Sequence, residues 1–186
     1  MDRGGDIWRE RAVRDAILAG DGIAWRAWYD EHFSRLADYA RWRCGGLTEL
    51  ADDVIQDTWL TAVRRLRAFD PQRGLFFAWL CGIASQTARN AIRNRRRLHR
   101  RSHSLDATPE PPTGIPDSAA VETAERVAAA LAAIPDRYEA VLRAKYLDRQ
   151  TVDEIATARG ESPKAIESLL TRARQAFREA YESSHE

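Results

Sequence analysis

Apolar residues return every three or four positions through almost the whole of this 186-residue chain. That spacing places them on one face of an α-helix, whereas a half-buried strand would alternate apolar and polar residues. The sequence shows no sustained alternation, and it is rich in Ala, Arg, Leu and Glu, which favour helices. It therefore predicts an all-α fold.

The helical pattern is interrupted once, at 102–123, where Ser, Thr, Gly and acidic residues surround four of the seven prolines. Such a segment has too few apolar side chains to offset the entropy of ordering it, so a flexible linker is predicted. The chain then divides into an N-terminal segment at 1–19 and two small helical domains, at 20–101 and 124–182.

Three amphipathic helices are predicted in the first domain. The first covers 23–43 and is closed by Gly45 and Gly46, the second begins at Thr48, and the third covers 76–97. Trp79, on the third helix, is expected in the core, with a role as a stacking platform for bases left open. The buried stripe predicted for the second helix comprises Ala51, Val54, Ile55, Thr58, Ala62, Val63 and Leu66.

Four helices are predicted in the second domain, at 121–134, 137–146, 152–158 and 163–181. Thr151 and Ser162 are placed to cap the last two, with the turn between them at Gly160. Two helices joined in this way form a helix-turn-helix, a motif that binds DNA. Structural helical hairpins give the same pattern, so that alternative stays open.

Basic residues are concentrated at the end of the third helix. The segment 89–101 holds seven arginines and no acid, which provides a phosphate-binding footprint, with a solvated helix end as the alternative. Amide side chains just before it suit hydrogen bonding to base edges. The candidate DNA-binding residues here are Gln86, Arg89, Asn90, Arg93, Arg95, Arg96 and Arg97.

Catalytic and metal-binding patterns are weak. Cys44 and Cys81 form no paired motif and are interpreted as small buried hydrophobes, and His99 and His103 have no accompanying carboxylate or cysteine. The sequence shows no glycine-rich phosphate loop and no nucleophile motif. We expect a binding protein that is not an enzyme and uses no metal or cofactor. The lack of a secretion signal or an 18-residue apolar run predicts a cytoplasmic protein without membrane insertion.

Two blocks of sequence point to one family. The first is ADDVIQDTWL at 51–60, followed by FAWLCGIA at 77–84, which are similar to the patterns AEDLVQETFL and FRTWLYRIA. The second runs from IPDRY at 134–138 through DEIA at 153–156 to LTRAR at 170–174. In this order they resemble the sigma-70 family of bacterial RNA polymerase initiation factors, and within it the short extracytoplasmic-function (ECF) group.

The resemblance implies a role for each block. The first would bind core RNA polymerase at the β′ clamp helices through Asp53, Gln56, Asp57 and Leu60. The loop 70–75 and the next helix would open the −10 promoter element and hold a flipped base. The second would contact the β flap and read the −35 element, with candidate contacts at Ser162, Lys164, Glu167, Ser168, Arg172 and Arg174.

The partners implied are therefore core polymerase, promoter DNA and an anti-sigma factor that masks both domains. Glu167 and Leu169 depart from the family pattern, which leaves the effect on −35 recognition open. The alternative function is a stand-alone helix-turn-helix transcriptional regulator. The near-neutral charge of the residues from 126 onward, with ten basic and ten acidic side chains, argues against strong DNA binding by the second domain alone.

Overall fold

The computed structural model describes residues 3–104 and 118–183, with side chains at 4–98 and 119–183. Every regular element within these ranges is helical, which confirms the all-α prediction. In chain order the elements are α1 (Arg3–Leu18), α2 (Gly22–Arg43), α3 (Thr48–Arg65), a 3-10 turn (Leu66–Ala68), α4 (Phe76–Ser104), α5 (Ser118–Ala133), α6 (Asp136–Tyr146), α7 (Val152–Arg159) and α8 (Pro163–Glu182).

Contacts divide the described chain into two compact units. The first contains the residues up to Arg41 together with Thr48–Ala91, and the second contains Trp42–Leu47 together with the residues from Ile92 onward. The dividing line crosses α4, and the first unit includes α1, which the sequence placed outside the first domain. The predicted domain boundaries stay predictions.

Aromatic rings form the centre of the first unit. Trp28 of α2 stacks on Phe76 at the start of α4, with ring centroids 3.8 Å apart. Phe69 packs edge-on against both rings, at 5.9 and 5.4 Å. Trp79 is half-buried and contacts Phe69 at 5.3 Å, so it belongs to this core as expected. The segment before α4 is thereby anchored to the core at Phe69 and at Phe76.

Helix α3 buries most of the predicted stripe, but the prediction wrongly includes Val63 and leaves out Leu50 and Trp59, which are both buried. Val63 is 55% exposed, whereas the sequence placed it in the core. Trp59 was left out of the stripe, yet it is buried and packs on Trp25 and Tyr29 of α2. At 100° per residue Val63 lies farther round the helix than Trp59, so the buried face is turned away from Val63 and toward Leu50 relative to the predicted stripe.

The second unit has an aliphatic core built from α5 to α8. Its buried members include Leu131, Val141, Ile155, Ile166 and Leu170. The predicted helix boundaries agree with the structure to within three residues. Helix α8 packs against α5, α6 and α7, and it is therefore the central element of this unit.

The predicted linker lies only partly within the described residues. Helix α4 continues to Ser104 and α5 begins at Ser118, so both ends of 102–123 are helical. The early start of α5 follows from the Ala-rich sequence at 119–124, where helix propensity is high. Residues 105–117 are outside the description. None of the helices in the described ranges combines the length and apolar character needed to cross a bilayer.

Candidate functional site

A polar face of α3 presents the four residues predicted to bind the polymerase. Asp53, Gln56, Asp57 and Leu60 are all exposed, and their spacing of i, i+3, i+4 and i+7 puts them on one face. The opposite face is buried in the first unit. Leu60 is 45% exposed, so this face combines carboxylates with an apolar side chain. The structure thus brings all four together on one surface, called the α3 face below.

A shallow groove borders the α3 face. Its volume is about 370 Å³, and it lies between α2 and α3. The floor is aromatic and aliphatic, while Asp52 and Gln56 stand at the edge. Such a combination suits a partner helix that offers apolar side chains flanked by basic ones. The residues lining the groove are Tyr29, Phe33, Asp52, Ile55, Gln56, Trp59 and Leu60.

A stripe along α4 holds six of the seven residues predicted to contact the −10 element. Gln86 and Asn90 are exposed one turn apart, with the Gln86 amide donating a hydrogen bond of 3.3 Å to Asn90 Oδ1. At 100° per residue, Arg89, Arg93 and Arg97 fall on the same side of the helix, and Arg96 falls at its edge. The side chains of 99–104, which include His99, His103 and two further arginines, lie outside the described residues.

Arg95 does not share the α4 stripe. It falls on the opposite side of the helix, where its Nε donates a 2.7 Å hydrogen bond to Glu125 of α5 within the second unit. A guanidinium already paired with a carboxylate has less free charge for a phosphate. The sequence-based prediction included Arg95 with its neighbours, because a run of basic residues does not show on which side of the helix each one lies.

The turn between α7 and α8 has the geometry predicted from sequence. Thr151 and Glu154 form a reciprocal capping box, and Gly160 takes a left-handed φ of 67° at the end of α7. The Ser162 hydroxyl accepts a hydrogen bond of 3.2 Å from the Ala165 amide, with Pro163 at the start of α8. These caps fix the direction in which α8 leaves the turn, as a helix-turn-helix requires.

The exposed face of α8 carries most of the residues predicted for the −35 element. Lys164, Glu167, Ser168 and Arg172 are exposed at i, i+3, i+4 and i+8, which places them on one face near the start of the helix. Leu169 is 8% exposed and belongs to the core, so its departure from the family pattern does not alter this face.

Arg174 occupies the edge of α8 that faces α6. Its Nε donates a 2.8 Å hydrogen bond to the hydroxyl of Tyr146, and the guanidinium lies 5.9 Å from the centre of that ring. Both residues line a largely apolar groove of about 450 Å³ in the second unit, with Leu131, Leu142 and Phe177. Arg174 therefore lies at the edge of this face, seven residues after Glu167, and is tied to Tyr146 of α6.

Sequence reasoning missed the contribution of α1. Glu10 and Arg14 of this helix hydrogen-bond the backbone at Phe76 and Phe69, the two ends of the segment that leads into α4. Only a weak apolar periodicity at 7–18 could have indicated a packed helix there. Contacts between α1 and residues more than 50 positions away leave no local pattern in the sequence.

In the part of the chain that the structure describes, no three His, Cys, Asp or Glu side chains come together in a group that could hold a metal ion. Cys44 and Cys81 are both buried, as expected. Burial raises the pKa of the Cys44 thiol to about 11, which keeps it protonated at neutral pH. His32 is buried between Trp28 and Phe76, and burial lowers its pKa.

An all-helical chain with an acidic exposed face, an arginine-rich helix and a capped helix-turn-helix is typical of the class of DNA-binding transcription factors. Sequence profiles identify the family. The profile of Sigma-70 region 2 matches residues 28–98, and that of Sigma-70 region 4 matches residues 124–177. The chain belongs to the sigma-70 family of RNA polymerase sigma factors, in its ECF group.

Two characterised relatives agree with this assignment. The chain is 31% identical over 131 residues to the RNA polymerase sigma factor CarQ of Myxococcus xanthus, covering 70% of this chain and 74% of CarQ. It is 30% identical over 174 residues to the ECF RNA polymerase sigma factor BldN of Streptomyces coelicolor, covering 90% of this chain and 64% of BldN. It thus spans about two thirds to three quarters of the length of these relatives.

A solved structure resembles the chain more loosely. The sigma factor RpoE of Bartonella quintana, in complex with the anti-sigma factor NepR, is 18% identical. The alignment covers 85% of this chain and 96% of RpoE, with a TM-score of 0.48. A score below 0.5 does not establish a common arrangement of whole molecules, so the family assignment rests on the sequence matches.

Proposed function

We propose that this chain acts as an ECF sigma factor that joins core RNA polymerase to promoter DNA through three separate surfaces. The α3 face binds the polymerase, the α4 stripe opens the −10 element, and the start of α8 reads the −35 element. The single observation that carries the proposal is the α3 face, because four predicted polymerase contacts lie exposed together within the segment that matches region 2.

The chemistry of the α3 face supports polymerase binding. Asp53 and Asp57 are exposed one turn apart on the same side of the helix, and exposed Leu60 follows within another turn. Carboxylates attract a basic partner and set its orientation, while burial of a leucine supplies affinity that does not depend on salt. The groove beside Gln56 gives a partner helix an apolar surface on which to pack. The proposed partner is the pair of clamp helices of the β′ subunit.

The α4 stripe supports binding to an opened −10 element. Exposed arginines bind phosphate and release counterions, which drives association with a polyanion. Gln86 and Asn90 offer amide donors and acceptors for the edge of an unpaired base. Arg95 lies on the opposite side of α4, where it pairs with Glu125, and is expected to contribute less than the arginines that face the DNA.

The start of α8 supports binding in a major groove. Residues in the first two turns of a recognition helix approach base edges, and here they are Lys164, Glu167 and Ser168. The Glu167 carboxylate can accept from the amino group of cytosine, yet it repels nearby phosphates. We therefore expect the second domain alone to bind DNA weakly and in a salt-sensitive way. The polymerase would supply the remaining affinity.

Two further partners follow from the family. The apolar groove beside Tyr146 and Phe177 suits the β flap of the polymerase, and an anti-sigma factor would compete for these same surfaces. We propose that the protein acts in the cytoplasm, where polymerase is found, and that it contributes no catalytic group of its own. The match to region 2 favours this function over a stand-alone regulator, which would not need a polymerase-binding domain.

A run-off transcription assay with core polymerase tests the proposal. We expect promoter-specific transcripts with the full chain and none with core polymerase alone. Asp57→Asn is the test variant, and Asp38→Asn is the matched control, because Asp38 is an exposed carboxylate on α2 outside the α3 face. No promoter-specific transcript from the wild-type chain, on templates selected by sequencing transcript 5′ ends after overexpression, would refute the function.

A further inference from the structure

We infer that helix α1 braces the segment 69–75, called the α4 entry loop, and that Glu10 and Arg14 are positioning residues for promoter opening. The inference rests on the proposed function, because it assigns to α1 the task of presenting this loop to the −10 element. The contacts that carry it all lie within the first unit.

Glu10 holds the end of the loop. Its Oε2 accepts a hydrogen bond of 2.9 Å from the backbone amide of Phe76, the first residue of α4. The first amides of a helix have no partner within the helix, so a carboxylate there satisfies one and also interacts favourably with the helix dipole. The carboxylate comes from another helix, and it therefore ties the start of α4 to α1.

Arg14 holds the beginning of the loop. Its Nη1 donates a hydrogen bond of 3.0 Å to the carbonyl oxygen of Phe69. The guanidinium is oriented by Asp15, whose Oδ1 accepts from Nε at 2.9 Å and from Nη2 at 2.7 Å. Because Phe69 is itself buried in the aromatic core, this contact fixes the point at which the chain emerges from the core.

The middle of the loop also faces α1. A cavity of about 290 Å³ separates Ile7 from residues 71–75, which form its other wall. Ile7, Glu10 and Arg14 are spaced i, i+3 and i+7, so the face of α1 that ties both ends of the loop also lines a cavity with its middle. The sequence of the loop itself does not predict that α1 lies against it.

The loop has a turn of its own that leaves its tip exposed. Asp70 accepts hydrogen bonds of 3.0 Å from the amides of Gln72 and Arg73, through its side chain and its carbonyl oxygen respectively. A free loop would lose conformational entropy when it captured a base. Bracing both ends removes part of that loss before DNA arrives, which favours capture.

The test uses the full chain with four variants. Glu10→Ala and Arg14→Ala each remove one tie, whereas Glu10→Gln keeps an oxygen that can accept from the Phe76 amide. Arg9→Ala is the matched control, because Arg9 of α1 forms an exposed ion pair with Glu31 of α2, a tie of α1 that does not involve the loop. The measurements are hydrogen exchange of the loop amides, affinity for core polymerase, and the rate of open-complex formation on a duplex promoter.

Glu10→Ala and Arg14→Ala are each expected to speed hydrogen exchange of the loop amides and to slow open-complex formation about tenfold, which is the effect of losing one hydrogen bond. The affinity for core polymerase should not change. Glu10→Gln should recover most of the rate, and Arg9→Ala should match the wild type. Faster exchange with normal opening would overturn the inference, and so would equal losses in opening and core affinity. If the wild-type chain itself forms no open complex, the proposed function fails instead.

Discussion

His32, the buried histidine of α2, gives a stability prediction. The cost of burying its unpaired ring nitrogens and the effect of its protonation can be measured separately. His32 is 5% exposed and lies among the rings of Trp28, Phe76 and Phe77. Among the described residues, neither ring nitrogen has a hydrogen-bond partner. Burying an unpaired polar group costs about 1–3 kcal/mol. His32→Leu removes that cost and loses ring contacts worth about 0.5–1.5 kcal/mol. We therefore expect a gain of about 1 kcal/mol in the free energy of unfolding of the first unit at neutral pH.

Acid should enlarge the difference between the two proteins. Burial lowers the pKa of His32, so the unfolded chain binds a proton at a pH where the folded chain does not. Wild-type stability is therefore fully present above the ordinary pKa of histidine, near 6.5, and is lost as the pH falls through it toward the folded value. The loss amounts to at most about 1.4 kcal/mol for each pH unit in that window. The leucine variant should lack this contribution.

Urea unfolding at about pH 7.5 and about pH 5.5, across the titration range of histidine, measures both effects. Tryptophan fluorescence reports mainly on the first unit, since five of the six tryptophans lie in it. His32→Asn serves as the control, because it keeps a polar side chain but does not titrate. It should lose the acid sensitivity without gaining stability at neutral pH. Equal acid losses in the wild type and in His32→Leu would refute the burial argument.

Four further variants test two of the surfaces and one helix cap. Asp57→Arg should weaken core polymerase binding at least about tenfold, because it places a repulsive charge on the α3 face, and the circular dichroism spectrum should stay unchanged. Unchanged affinity would show that Asp57 is not in the interface. Arg93→Ala should reduce the salt slope of −10 binding by about one, because one phosphate contact is lost, whereas Arg95→Ala should change it less; equal effects would contradict the facing of α4. Thr151→Ala should lower the melting temperature of the second unit. The hydrogen bonds from Thr151, above all that from its backbone amide, lower the pKa of Glu154, so their stabilising effect, present above the ordinary pKa of glutamate, should fade on acidification. Because Thr151→Ala keeps the backbone amide that donates to Glu154 Oε2, the variant should retain part of this acid sensitivity.

Local signals in the sequence predicted α2, α3 and the helices of the second unit, with most of their ends. The box of Thr151 and Glu154, the serine at 162 and the glycine at 160 all occupy the positions expected of them. Caps and turns depend on residues within a few positions of one another, so their geometry is encoded locally. The α3 face could also be predicted from the sequence. The spacing of its residues, whatever the helix packs against, puts them on one side of a helix; they are Asp53, Gln56, Asp57 and Leu60.

Contacts between distant residues decided the rest. The choice of Trp59 over Val63 for the core, the pairing of Arg95 with Glu125, and the two ties from α1 to the α4 entry loop each join segments far apart in the chain. Periodicity shows that a helix has an apolar side, but the exact rotation of that side depends on the neighbours it meets. Charge density likewise shows that a segment is basic, and only the folded chain determines which of its arginines remain available to DNA.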